Sequence, residues 1–165
     1  MIRIYGDKVL EKVASPVIKF DAKLEELAKA MLDTLHKTGY GVGLAAPQVG
    51  KSVRLIVIDL KDAFPDESVV LNGKIIPMPL LFHLIIVNPS ITPIGTEKDI
   101  QEEGCLSIPD RRIEVERFSN VQVRYQDLQG EWNEIQCGGF LARCLQHETD
   151  HLDGILILHR ALKKH

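Results

Sequence analysis

GFLARCLQHETDHLDG, residues 139–154, carries His147, Glu148 and His151 in the order His-Glu-x-x-His. On a helix, residues four apart lie about 40° from one another, so both imidazoles can reach a single metal ion. Phe140, Cys144, His147, Glu148 and His151 then share a face, at i, i+4, i+7, i+8 and i+11, with Leu141, Leu145 and Leu152 flanking it. A helix that only served a core would not place a carboxylate there, because burying it without a partner is costly. A bound divalent cation removes that objection. Alone, the pattern leaves three readings open: a zinc protease, another metal hydrolase, or two incidental histidines on a partly exposed helix.

A catalytic centre of this kind takes three protein ligands and keeps a position open for water. Protease versions recruit the third from further along the chain. After His151 only Asp153, His159 and His165 follow, and none sits in a convincing pattern. The upstream candidate is Cys105, in EEGCLSIP, because a thiolate is a good ligand for zinc or ferrous iron. By base rate a lone cysteine is a small buried hydrophobe. Its setting argues otherwise: Gly104 allows an unusual backbone geometry, and Ser107 and Pro109 interrupt a regular strand.

GYGVGLAAPQVG, residues 39–50, is the third notable stretch. It lacks the lysine and hydroxyl register of a phosphate loop and the strand–helix frame of a dinucleotide site. A better use is close approach of backbone to an extended ligand, with Gln48 aimed into the site; the plainer alternative is a turn-rich connection.

The rest of the chain bounds the fold. With 165 residues, 45% hydrophobic and 26% charged, it fits one globular domain, residues 1–165. A net charge of -3 and a pI near 6.1 give no basic field for nucleic acid. No apolar run reaches the roughly 18 residues of a membrane span; LLFHLIIV and ILIL are short and read as buried strands. The start has no signal-peptide pattern, and three cysteines make no disulfide framework, so a cytoplasmic home is expected.

Phe20 to Gly41 reads as a helix, capped by Asp21 and stopped at Gly39; His36 near its end favours the helix dipole and receives no catalytic role. Val53–Leu60 and Leu84–Ile91 read as strands, and the turn-rich segment between them, residues 61–83, as a lid, a contact for another subunit or, by default, an elaborated surface loop. Val121, Val123 and Tyr125, the turn DLQG, then Trp132 and Ile135 read as a hairpin with one buried face. Central strands with one early and one late helix point to an α+β domain.

GVGLAAPQ, EGCLS and QHETDH, in this order and at these separations, resemble the three signature motifs of the peptide deformylases, and the resemblance spans nearly the whole chain. It implies antiparallel sheets packed around a central, C-terminal metal-binding helix, with an N-terminal helix. The implied metal ligands are Cys105, His147 and His151, holding Fe²⁺ for which Zn²⁺, Ni²⁺ or Co²⁺ substitutes. Glu148 would take a proton from water and pass it to the leaving amine, while Gln48 and the backbone N–H of Leu106 stabilise the oxyanion. The substrate would be the N-formylmethionine end of a nascent polypeptide, lying along Gly41, Val42 and Gly43. Its methionine would enter a pocket bounded by Phe140, Arg143 and Cys144, with the Arg143 stem in the wall and its head in water. Relatives also imply a contact with the ribosome near the exit tunnel. The chain ends at His165 without the longer C-terminal helix of many of them, which leaves that docking mode open.

Overall fold

The structure, a computed structural model, describes residues 1–60, 67–81 and 83–162. Its first long helix, α1 (Ala22–Thr38), begins where Asp21 accepts the N–H groups of Lys23 and Leu24. It ends where Gly39 turns left-handed, with φ 77°. The last long helix, α2 (Gly139–Leu152), carries the His-Glu-x-x-His stretch, and a short α3 (Ile157–Arg160) follows it.

Seven strands form one antiparallel sheet: β1 (Gly43–Ala45), β2 (Leu55–Asp59), β3 (Ser68–Leu71), β4 (Lys74–Pro77), β5 (His83–Pro93), β8 (Asn120–Gln126) and β9 (Trp132–Gly138). Their order is β1-β2-β5-β8-β9-β3-β4. The remaining strands, β6 (Lys98–Cys105) and β7 (Ile108–Phe118), pair as a separate ribbon.

Strand β2 explains why the sheet is central. All five of its residues are buried, yet the period of two still divides them. Leu55 and Val57 pack with Leu24, Ala28, Met31 and Leu35 of α1. Ile56 and Ile58 belong to the other core, with Leu141, Leu145 and Leu152 of α2. One face of the sheet therefore holds α1 and the other holds α2. The β6–β7 ribbon lies against α2 as well, so the metal-motif helix is enclosed between two sheets.

Four expectations change. The 61–83 segment is not simply a loop. Residues 61–66 and 82 lie outside the described residues, but 67–81 contain the β3–β4 hairpin, which extends the sheet through β9. Its turn is Asn72-Gly73, both at positive φ (49° and 78°), flanked by branched aliphatics. ILIL is not a strand; Leu156 and Ile157 are buried at the start of α3, and His159 Nδ1 accepts the Leu156 N–H. Trp132 is 52% exposed, because it lies an odd number of residues from Ile135 and so on the opposite face, where Arg124 stacks on its ring. Gly104 does not adopt positive φ, and a Cβ there would make ordinary contacts with Arg112; the break before Cys105 is a register shift in the ribbon, between Glu103 and Cys105.

Candidate metal centre

The three motifs meet on the side of the sheet that faces α2. Cys105 ends β6, and a two-residue turn, Leu106-Ser107, returns the chain into β7. The thiol lies 3.3 Å from His151 Nε2, and the two imidazole rings stand edge to face with centroids 5.1 Å apart. One donor atom from each of Cys105, His147 and His151 falls within 4.8 Å of the others.

This donor set fits a divalent cation. His151 is 1% exposed, its Nδ1 has no partner among the described residues, and burial holds its pKa well below the usual range. It is thus neutral and able to ligate. Burial acts in the same direction on His147, yet that ring is pushed up to about 10, because Cys105, Glu103 and Glu148 outweigh it. The negative surroundings that hold a proton there favour a cation equally.

Glu148 sits beside the donors, 4% exposed, with Oε2 unpartnered among the described residues. Burial raises its carboxyl to about 7, against the attraction of His147. Room for it comes from Gly43: a Cβ on that residue would stand 2.6 Å from Glu148 Oε1. The sequence reading assigned the glycines to ligand approach, but this one also accommodates a side chain of the site. Gln48 is buried in the single turn Ala46–Val49; its Oε1 accepts the Ala45 N–H at 2.8 Å. Its Nε2 donates to Ser107 Oγ at 3.1 Å and lies 3.8 Å from the Cys105 sulfur.

A cleft of about 710 Å³ opens over these groups. Every residue that the resemblance assigns to the site lines it except His151, which is buried behind. For Arg143 one detail is corrected: its head does not reach water. The guanidinium is buried, donating to Glu103 Oε1, to the Val115 carbonyl, and to the carbonyl and carboxylate of Asp99.

That arrangement exposes a residue that sequence reasoning missed. Glu103 receives Arg117 in a two-pronged pair (2.9 and 3.0 Å), Arg143 at 2.8 Å, and faces His147 Nδ1 at 2.9 Å. Arg117 also donates to Asp150, which Arg160 holds from the other side. The available signal was spacing, since Glu103 precedes Cys105 by two residues on one strand. Nothing in the sequence marked Arg117.

The model of the polypeptide deformylase family matches residues 1–165. The chain belongs to the peptide deformylase family. A peptide deformylase of Opitutus terrae is 45% identical over 162 residues, covering 97% of this chain and 83% of that protein. The crystal structure of the Thermotoga maritima peptide deformylase superposes with a TM-score of 0.83 at 39% identity, covering 99% of this chain and 97% of that one. A Met-Ala-Ser-bound class I type b peptide deformylase from Acinetobacter baumannii gives 0.82 at 39% identity, over 97% and 96%. As a peptide deformylase, the chain is a metal-dependent hydrolase that removes the N-formyl group from nascent peptides. Among the described residues no helix is long and apolar enough to cross a membrane.

Proposed function

We propose that residues 1–165 act as one catalytic domain in which Cys105, His147 and His151 hold the metal and Glu148 carries the proton. The reading is carried by the convergence of those three donors beside a buried carboxylate with one oxygen unpartnered among the described residues. A divalent ion held there supplies Lewis-acid chemistry, polarising the formyl carbonyl and lowering the pKa of water toward about 7. Ferrous iron is the proposed working ion, with zinc, nickel or cobalt able to replace it, since a His₂Cys set suits several metals.

Glu148 takes the proton of the attacking water and returns it to the leaving amine nitrogen. Burial, which raises this carboxyl above the ordinary range, suits it to both accepting and returning a proton. Gln48, its carbonyl end fixed by Ala45, offers Nε2 to the oxyanion, and the Leu106 backbone N–H is the second donor. Strand β1 is the outer strand of its sheet, which supports an extended substrate pairing along Gly41, Val42 and Gly43. Met-Ala-Ser, bound by the Acinetobacter relative, has the free amino-terminal methionine that loss of formate leaves. By that likeness the substrate here is an N-formylmethionyl peptide, its methionine side chain against Phe140, Cys144 and the buried Arg143. The enzyme would work in the cytoplasm on chains leaving the ribosome.

Formate release from a formyl-Met dipeptide by anaerobically prepared, iron-loaded protein tests this. Glu148→Gln should lose roughly 10²- to 10⁴-fold in kcat with metal retained. Full activity in that variant overturns the role of Glu148. Undiminished metal binding in Cys105→Ser removes Cys105 from the ligand set.

A further inference from the structure

A second set of donors converges elsewhere in the molecule. His36 lies in the last turn of α1, Asp59 ends β2 and His83 begins β5. One donor atom from each falls within 4.8 Å of the others, the same compactness as the catalytic set, yet no residue or element is shared with it. We propose that His36, Asp59 and His83 form a second divalent-cation site, of the zinc class, separate from the catalytic centre.

Three features of the fold bring the donors together. Asp59 and His83 are directly opposed in the β2–β5 register, so their Cα positions are fixed by the ladder. His36 is delivered by the helix end at which Gly39 stops α1. The Asp59 carboxylate is 4% exposed and turns one oxygen to each ring: Oδ2 is 2.6 Å from His36 Nε2 and Oδ1 is 3.9 Å from His83 Nε2. The two rings lie 5.6 Å apart between centroids. Ligands at about 2.0–2.2 Å from a tetrahedral ion stand roughly 3.3–3.5 Å from one another, and the observed separations bracket that value. Both imidazoles are about two-fifths exposed, so small rotations bring them onto an ion while water fills the outer positions.

The chemistry favours the same class. Two imidazoles and one carboxylate suit zinc and its neighbours, whereas magnesium and calcium prefer oxygen alone. The carbonyls at the C-terminal end of α1 add a partial negative charge beside His36. The Asp59 N–H donates to the Val42 carbonyl at 2.9 Å. An ion there therefore ties the end of α1 to the sheet where the chain enters Gly41–Gly43, one wall of the catalytic cleft.

The test starts from holoenzyme with its catalytic metal in place. After dialysis against excess Zn²⁺ and removal of loosely held ion, metal analysis should find a second ion per chain. It should be absent from His36→Gln/His83→Gln and unaffected by excess Mg²⁺. Co²⁺ added to the holoenzyme should give d–d absorption without a new thiolate charge-transfer band, because this donor set holds no sulfur. Zinc should also slow amide exchange at residues 40–43 in the wild type and leave it unchanged in the double variant. Both histidines are solvent-facing and line no part of the cleft, so basal deformylase activity of the variant should match wild type and reports its folding; should the double variant misfold, His83→Gln alone must lose the second ion. A wild type that binds a single ion under excess zinc, or a second ion that survives in the variants, overturns the site and leaves a hydrogen-bonded imidazole–carboxylate cluster.

Discussion

Two residues carry more of this site than their types announce. Gly43 has an ordinary backbone conformation, so its lack of a side chain matters only for space, and the space is filled by Glu148. Gly43→Ala should push the carboxylate aside and lower kcat/KM by about 10²-fold or more, with metal content and thermal stability nearly unchanged. A rate within twofold of wild type would show that the carboxylate has another place to go. Glu103 is the other. Burial alone would raise its pKa, but His147 and Arg117 overcome that and hold it at about 2, well below the ordinary 4.5. A depressed carboxylate contributes stability that is complete above pH 4.5 and is lost as pH falls toward 2. Glu103→Gln removes the carboxylate that two buried guanidinium groups share, leaving Arg117 to Asp150 and Arg143 to Asp99, and should cost about 3 kcal/mol near neutrality. It should also weaken metal binding by about 10- to 100-fold, since His147 loses the partner that orients it. Denaturant unfolding of both proteins across pH should show the stability gap closing between pH 4.5 and 2. A gap that does not vary with pH would rule out the charge as its source.

At the scale of elements, the chain is legible where a signal is local. The cap at each end of α1, the apolar flanks of α2 and the alternation of β8 can each be read from a short stretch, and each forms as read. The bulge before Cys105 and the Arg117–Glu103–Arg143 network are fixed by partners 14 and 40 residues from Glu103, which no local pattern encodes. The β3–β4 hairpin is a different case. LNGKII carries the strongest short-range hairpin signal there is, hidden by the turn-formers around it. Asn72 ties that hairpin to β9, accepting the Glu134 N–H on its side chain and donating its own N–H to the Glu134 carbonyl. Gly73 at φ 78° meets nothing where a Cβ would stand, so Gly73→Ala isolates backbone strain. It should cost about 1 kcal/mol in thermal or urea unfolding and leave kcat untouched. A neutral or stabilising result would mean the turn has relaxed to another type.

Across the whole molecule, the sheet and the ribbon sort polar groups by enclosing α2 between them, and the three cysteines show how sharp that sorting is. Cys137, on β9, and Cys144, on α2, both pack in the core shared by sheet and helix, and Cys144 also forms part of the cleft wall. Burial, reinforced by Glu67, raises the Cys137 thiol to about 12, and burial with Glu148 lifts Cys144 well above the usual range. Both therefore stay protonated, and a thiol reacts only as its thiolate. Cys105, at the end of the ribbon, is half-buried and opens onto the cleft. Metal-stripped native protein treated with iodoacetamide at neutral pH should accordingly gain a single adduct, mapped to Cys105. Reloading the metal should suppress it, and denaturant should release all three thiols. Rapid native labelling of Cys137 would mean that the layers around α2 open far more readily than their packing implies. Undiminished labelling of Cys105 after metal loading would separate that thiol from the metal. The same reaction thus reads both the closure of the core and the ligand set.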